Sequence, residues 1–75
     1  MLVLDLHGAR HKQVSSLVEN FIHSSKEPIF KIIIGNSNRM LELVSEVLSK
    51  HSFKYDYENW SNMGAIIAYK DIEQK

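Results

Sequence analysis

Short apolar runs alternate with two amphipathic stretches along this chain, and this alternation restricts the fold more than any other feature. In residues 11–23, apolar side chains recur at spacings of three and four, which predicts a helix with one buried stripe. A polar loop at residues 35–38 supplies N-cap residues for a second helix, which is predicted to end at Lys50. Strands are predicted at residues 2–6, 29–34, 53–58 and 65–69, with a turn at 59–64 before the last strand.

The element order β-α-β-α-β-β predicts a two-layer α+β (α/β) sandwich that forms a single domain over residues 1–75. Each strand–helix–strand unit makes a right-handed crossover between parallel strands, so both helices cover one face of a four-stranded sheet. The last turn reverses the chain and makes the last strand antiparallel. Because residues 65–68 are continuously apolar whereas residues 53–58 alternate, the last strand is placed inside a mixed sheet of order 1-2-4-3.

Composition excludes several classes of protein. The chain has 75 residues and no cysteine, which excludes disulfides, thiolate metal sites and a thiol nucleophile, and fits a reducing, cytoplasmic compartment. It contains no apolar run long enough to span a membrane and no basic segment before its first apolar residues, so neither a membrane protein nor a secretory signal is expected. Nine basic residues balance nine acidic ones, so any affinity for nucleic acid must come from local clustering of charge.

The predicted topology brings three loops, at residues 7–12, 35–39 and 59–64, to one edge of the sheet. Both helices begin at this edge, and helix N-termini favour anions such as phosphate. Arg10, His11 and Lys12 lie at the start of the first helix and Arg39 at the start of the second. Cations there disfavour the helix by about 0.3–1 kcal/mol each, which leaves two explanations: a phosphate ligand, or tolerated exposed charges.

The residues Leu4-Asp5-Leu6-His7-Gly8 resemble the LDLHG signature of the Smr (small MutS-related) family. Residues 34–37 match in part the T-G-x-G motif of that family, and residues 62–65 match its glycine-rich start of the last strand. Other positions depart from the family pattern: Ile34 replaces Thr, Ser37 replaces the second Gly of the motif, Arg10 replaces a helix-capping Thr, and Asn62 replaces a Gly.

The resemblance implies a fold similar to the C-terminal domain of translation initiation factor three. It also implies action on DNA or RNA by a weak nicking endonuclease or ribonuclease that cleaves phosphodiester bonds, with Asp5 and His7 catalytic. Two alternatives stay open: a non-catalytic RNA- or DNA-binding module, and a protein-interaction domain that uses the uncovered face of the sheet. The predicted nucleic-acid or phosphate contacts are Gly8, Arg10, His11, Lys12, Gly35, Asn36, Ser37, Asn38, Arg39, Trp60 and Gly64.

Each of these residues also has a structural interpretation. Asp5 and His7 can fix the turn by hydrogen bonds to the backbone, residues 36–38 can cap the second helix, and Trp60 can cover the core instead of stacking on a base. The sequence indicates no particular cofactor, and a divalent metal, Mg²⁺ or Mn²⁺, near Asp5, His7 and His11 stays an alternative.

Two further features are predicted away from the loops. His23 and His51 lie near helix ends, where histidine is favourable, and are predicted to be structural. On the uncovered sheet face, Val3, Ile33 and either Ile66 or Ile67 form an apolar centre with a charged rim. That face would suit a monomer or a weak homodimer.

Overall fold

The computed structural model of the protein describes residues 1–59 and 61–71. Within these residues the chain forms the predicted order of elements. They are strand β1 (Leu2–Asp5), helix α1 (His11–Ser25), strand β2 (Ile29–Ile33), helix α2 (Asn38–Lys50), strand β3 (Phe53–Asn59) and strand β4 (Asn62–Lys70). No helix in these described residues is long and apolar enough to cross a membrane.

The four strands form one mixed sheet in the order β1-β2-β4-β3, as predicted. β1 pairs with β2 in parallel, with Leu4 opposite Ile32. β4 is antiparallel to both of its neighbours: Ile66 lies opposite Ile32 of β2 and opposite Tyr57 of β3. β1, β2 and β3 therefore run in the same direction, and their carboxyl ends share one edge of the sheet.

The hydrophobic core lies between the sheet and the two helices. α1 contributes Val14 and Val18, which are fully buried, as expected from its apolar stripe. The rings of Phe21, Phe30 and Phe53 form an aromatic series across the core, with centroids 5.0 Å apart in the first pair and 5.2 Å in the second. The remaining buried apolar side chains that form the cluster are Leu6, Ile32, Ile34, Met40, Val44, Val47, Leu48, Ile66 and Ala68.

The connection between β3 and β4 lies within the predicted turn at residues 59–64, but it is shorter than predicted. β3 continues to Asn59 and β4 begins at Asn62, where these two residues pair. The Asn59 side-chain oxygen accepts hydrogen bonds from the backbone N–H and the hydroxyl of Ser61, at 3.1 and 2.8 Å. Antiparallel pairing is made by the backbone, so the polar residues that suggested a loop do not end the strands. Gly64 consequently lies within β4.

The other element bounds differ from prediction by one or two residues. α1 continues through Ser25 and ends at Lys26, which adopts a left-handed conformation with φ 56°. β1 and β2 end one residue early, at Asp5 and Ile33, although the next residue of each strand is still hydrogen-bonded to a neighbour.

The uncovered face of the sheet carries apolar side chains as predicted, but Lys31 lies between Val3 and Ile67 and not on a rim around them. Ile66 is fully buried in the core, so Ile67 is the residue that joins Val3 and Ile33 on this face. Lys31 of β2 reaches across β4 to Glu58 of β3, with Nζ and Oε2 2.8 Å apart. This ion pair covers part of the apolar centre.

Candidate functional site

The three predicted segments meet at the edge where β1 and β2 end. The backbone N–H of Leu6 donates to the Ile33 carbonyl at 2.8 Å, so His7 and Gly35 follow neighbouring strands at the same level. The Gly64 carbonyl accepts from the N–H groups of Ile34 and Gly35, at 2.8 and 3.0 Å. We call this edge, formed by residues 5–12, 34–39 and 64, the loop rim.

The connection from β1 to α1 is a type II β-turn that requires a glycine. The Leu6 carbonyl accepts the N–H of Ala9 at 2.9 Å, and Gly8 occupies the third position of the turn with φ 86°. A Cβ atom added to Gly8 would meet nothing within 4 Å. The glycine is therefore needed for the backbone conformation, and the space above it is open to a ligand.

The side chain of Asp5 stabilises the same turn through a hydrogen bond to its backbone. Its Oδ1 accepts the backbone N–H of His7 at 3.0 Å, and both side chains are exposed. Asp5 therefore acts on the backbone of His7, as its structural interpretation predicts. Among the residues that the structure describes, the imidazole of His7 has no hydrogen-bond partner.

At the start of α2, amide groups and a basic side chain that could bind a phosphate already have partners within the protein. Ser37 is the N-cap, and its hydroxyl accepts the Met40 N–H at 3.1 Å. Gly35, which has φ 68°, donates its N–H to Gly64 as described above. Arg39 pairs with Glu42, with Nη1 and Oε1 2.9 Å apart, so the charge of this cation is already compensated on the helix surface.

The start of α1 is different. Its N-cap is Arg10, whose side chain makes no capping hydrogen bond; as in α2, the first turn contains no acidic residue. Arg10, His11 and Lys12 are all exposed. The positive end of the α1 dipole and the three basic side chains therefore all favour binding of an anion at this end of the loop rim.

A shallow depression of about 300 Å³ lies where the loop rim meets the uncovered face of the sheet. It is lined by Lys31, Ile33, Gly35, Asn36, Gly64 and Ala65. Lys31 is a basic residue of this edge that the sequence analysis missed. Its signal was a single cation within the apolar run Ile29–Ile33. In the sheet it lies opposite Ile67 of β4, and it lines the depression together with Gly35 and Gly64.

The remaining predicted residues are distributed as follows. Asn36 and Asn38 are exposed beside the Ser37 cap, whereas Trp60 lies outside the described residues. Asp5, His7 and His11 do not form a group with metal-ligand spacing; within the described part of the chain, the group that does is Glu19, His23 and His51. The sequence analysis had assigned both of these histidines a structural role.

Fold and rim together define a small two-layer α/β domain with an open, basic turn at the carboxyl ends of its parallel strands. Comparisons with protein-family models, with curated proteins and with solved structures find no match. The resemblance to the Smr family therefore depends on the LDLHG residues, the partial matches at residues 34–37 and 62–65, and the order of elements.

Proposed function

We propose that this protein acts on nucleic acid, and that its loop rim binds the phosphodiester backbone of DNA or RNA at the start of α1. The observation that supports this is the combination at that helix end: no side-chain cap, no acidic residue in the first turn, and exposed Arg10, His11 and Lys12. Backbone N–H groups at a helix start together with basic side chains are a general arrangement for phosphate binding.

The open space above Gly8 supports the same location. A phosphate can approach the backbone closely there, because no atom outside residues 7–9 lies within 4 Å of the position that a Cβ would occupy. The start of α2 is a weaker candidate, since Ser37 and Gly64 already bind the amides that a phosphate would need.

A second candidate function is cleavage of the bound phosphodiester, in which His7 transfers a proton. His7 is exposed on the turn that leads into α1, next to the proposed phosphate position, and histidine changes charge near neutral pH. Asp5 would act as a positioning residue, because its carboxylate holds the backbone of His7. This function retains the endonuclease or ribonuclease activity that the LDLHG resemblance implies.

Binding is tested by fluorescence anisotropy with labelled duplex DNA and with labelled structured RNA over a range of salt concentrations. We expect salt-sensitive binding, and a smaller salt slope when Arg10 and Lys12 are both changed to alanine. Each lost phosphate contact lowers the slope by about 0.9 on duplex DNA or about 0.7 on a single strand. Lys26→Ala at the opposite end of α1 is the matched control. If the control and the double variant lose nucleic-acid affinity equally, or if the protein binds neither nucleic acid, the proposal is contradicted.

Cleavage is tested with supercoiled plasmid and structured RNA, each with and without Mg²⁺ or Mn²⁺. The comparison is between His7→Ala and His11→Ala, two exposed histidines of the same rim. Loss of cleavage only in His7→Ala supports its role in the chemistry. Cleavage that persists in His7→Ala excludes that role, and binding without cleavage leaves the binding module as the function.

A further inference from the structure

A second cluster of ionisable side chains lies away from the loop rim, where the two helices end. Oε1 of Glu19 is 2.8 Å from Nε2 of His51 and 3.9 Å from Nε2 of His23. The two imidazole rings are nearly perpendicular, with centroids 5.5 Å apart. One ligand atom from each of the three residues lies within 4.8 Å of the other two.

The fold builds this cluster from both helices. Glu19 and His23 are four residues apart and so share one face of α1, whereas His51 is the C-cap of α2. Parallel packing of the two helices brings their carboxyl ends together. His23 is twelve residues beyond the start of α1, or about 18 Å along the helix axis, so the cluster is separate from the loop rim.

We propose that Glu19, His23 and His51 form a binding site for a divalent metal ion of the zinc type. Two imidazole nitrogens and one carboxylate oxygen are the three-ligand set of many zinc sites whose fourth position holds water. Mg²⁺ and Ca²⁺ prefer a shell of oxygen ligands, so this donor set selects against them. The negative ends of both helix dipoles add to the attraction for a cation.

Two of the three distances between ligand atoms require adjustments of about half an ångström for binding; the third, between the two histidines, lies within 4.8 Å and must close further. Ligands of a tetrahedral zinc ion lie about 3.3 Å from one another, given bonds of about 2.0–2.1 Å. The Glu19–His51 pair must open by about half an ångström, and the Glu19–His23 pair must close by a similar amount. His23 has the freedom to do this, since its side chain is 71% exposed.

Lys50 pairs with the second carboxylate oxygen of Glu19; its positive charge opposes a bound cation but leaves the ligating oxygen free. Its Nζ lies 3.5 Å from Oε2 of Glu19, the carboxylate oxygen that does not face His51. Glu19 can therefore ligate through Oε1 while its second oxygen stays paired with Lys50. Such outer contacts orient a ligating carboxylate.

The test uses the tag-free 75-residue chain and ZnCl₂, with affinity measured by competition against a chromophoric chelator. We expect one zinc ion per chain, and a loss of affinity of about tenfold or more in His23→Ala and in Glu19→Gln. The control, His7→Ala plus His11→Ala, removes the two rim histidines and is expected to leave the affinity unchanged. Circular dichroism establishes that each variant is folded; His23→Ala is suited to this because that side chain is largely exposed.

Thermal unfolding provides an independent readout. At the same concentration, Zn²⁺ is expected to raise the Tm of the natural chain more than that of His23→Ala, because an ion bound only to the folded state stabilises it according to its affinity. MgCl₂ at the same concentration is expected to give no rise. Unchanged zinc affinity in His23→Ala, loss of affinity in the rim control instead, or an equal rise with Mg²⁺ would each overturn the proposal and leave the cluster as an ion-pair network between the helices.

Discussion

The Gly35 N–H donates to the Gly64 carbonyl oxygen at 3.0 Å, which ties the loop after β2 to the middle of the sheet. In the loop of a phosphate-binding fold, that amide would be directed at the ligand. Here it is used within the protein, together with the Ile34 amide, which donates to the same oxygen at 2.8 Å. The basic character of the loop rim is consequently concentrated at the start of α1.

Replacing Gly8 with alanine is expected to lower both stability and nucleic-acid affinity. Its φ of 86° lies in the left-handed region, where a residue with a side chain is strained by about 1–2 kcal/mol. Urea unfolding measures the first effect and anisotropy the second. Gly8→Asn is the matched comparison, because asparagine tolerates positive φ better than alanine. Equal stability of the natural chain and Gly8→Ala would contradict the type II turn.

Removing the Ser37 hydroxyl is expected to destabilise the protein without affecting nucleic-acid binding. Ser37→Ala loses the N-cap hydrogen bond to the Met40 amide, which typically costs about 1 kcal/mol. Ser37→Asp is expected to restore most of that stability, because a carboxylate also caps a helix. The measurement is the urea midpoint of each variant, with Asn36→Ala as an exposed neighbouring control. A weaker affinity for RNA or DNA in folded Ser37→Ala would show that this hydroxyl contacts the ligand.

Neutralising Glu42 is expected to strengthen nucleic-acid binding. Glu42→Gln releases Arg39 from its ion pair, so this cation becomes available to a phosphate near the start of α2. Stability should change by less than about 1 kcal/mol, because exposed ion pairs contribute little. Anisotropy is expected to show higher affinity and a salt slope that rises by up to about one contact. No rise in Glu42→Gln, or an equal rise in Glu46→Gln one turn further along α2, would exclude Arg39 from the binding surface.

A contact between Tyr69 and Asp56 on the sheet can be tested through the pKa of Tyr69 at alkaline pH. Burial and the negative charge of Asp56 both raise the pKa of Tyr69, whose hydroxyl donates to Asp56 Oδ2 at 3.2 Å. Because the folded pKa is raised, the resulting stability is complete below the unfolded value near 10 and is lost as pH rises through the folded value. Asp56→Asn is expected to bring the pKa of Tyr69 closer to its ordinary value. NMR titration of the tyrosine ring carbons measures the change, and an unaltered pKa would contradict it.

The fold was largely predictable from sequence because its determinants are local and periodic. The stripe containing Val14 and Val18 marks α1, and the apolar run of β4 against the alternating β3 places β4 inside the sheet. Because crossover connections between parallel strands are right-handed, only a few topologies then remain possible for this order of elements. Convergence of the β1 and β2 ends follows from the same rules, which is why the loop rim could be located in advance.

Other features depend on contacts between segments that are distant in the chain. Tertiary structure alone decided that Ile67 and not Ile66 faces outward, that Gly64 binds the Gly35 amide, and that His51 meets Glu19. The i, i+4 spacing of Glu19 and His23 was visible in the sequence, but the third member of that cluster comes from another helix. Periodicity reports which face of an element is buried, whereas partners across elements are set by strand register and helix packing, and no local pattern encodes those.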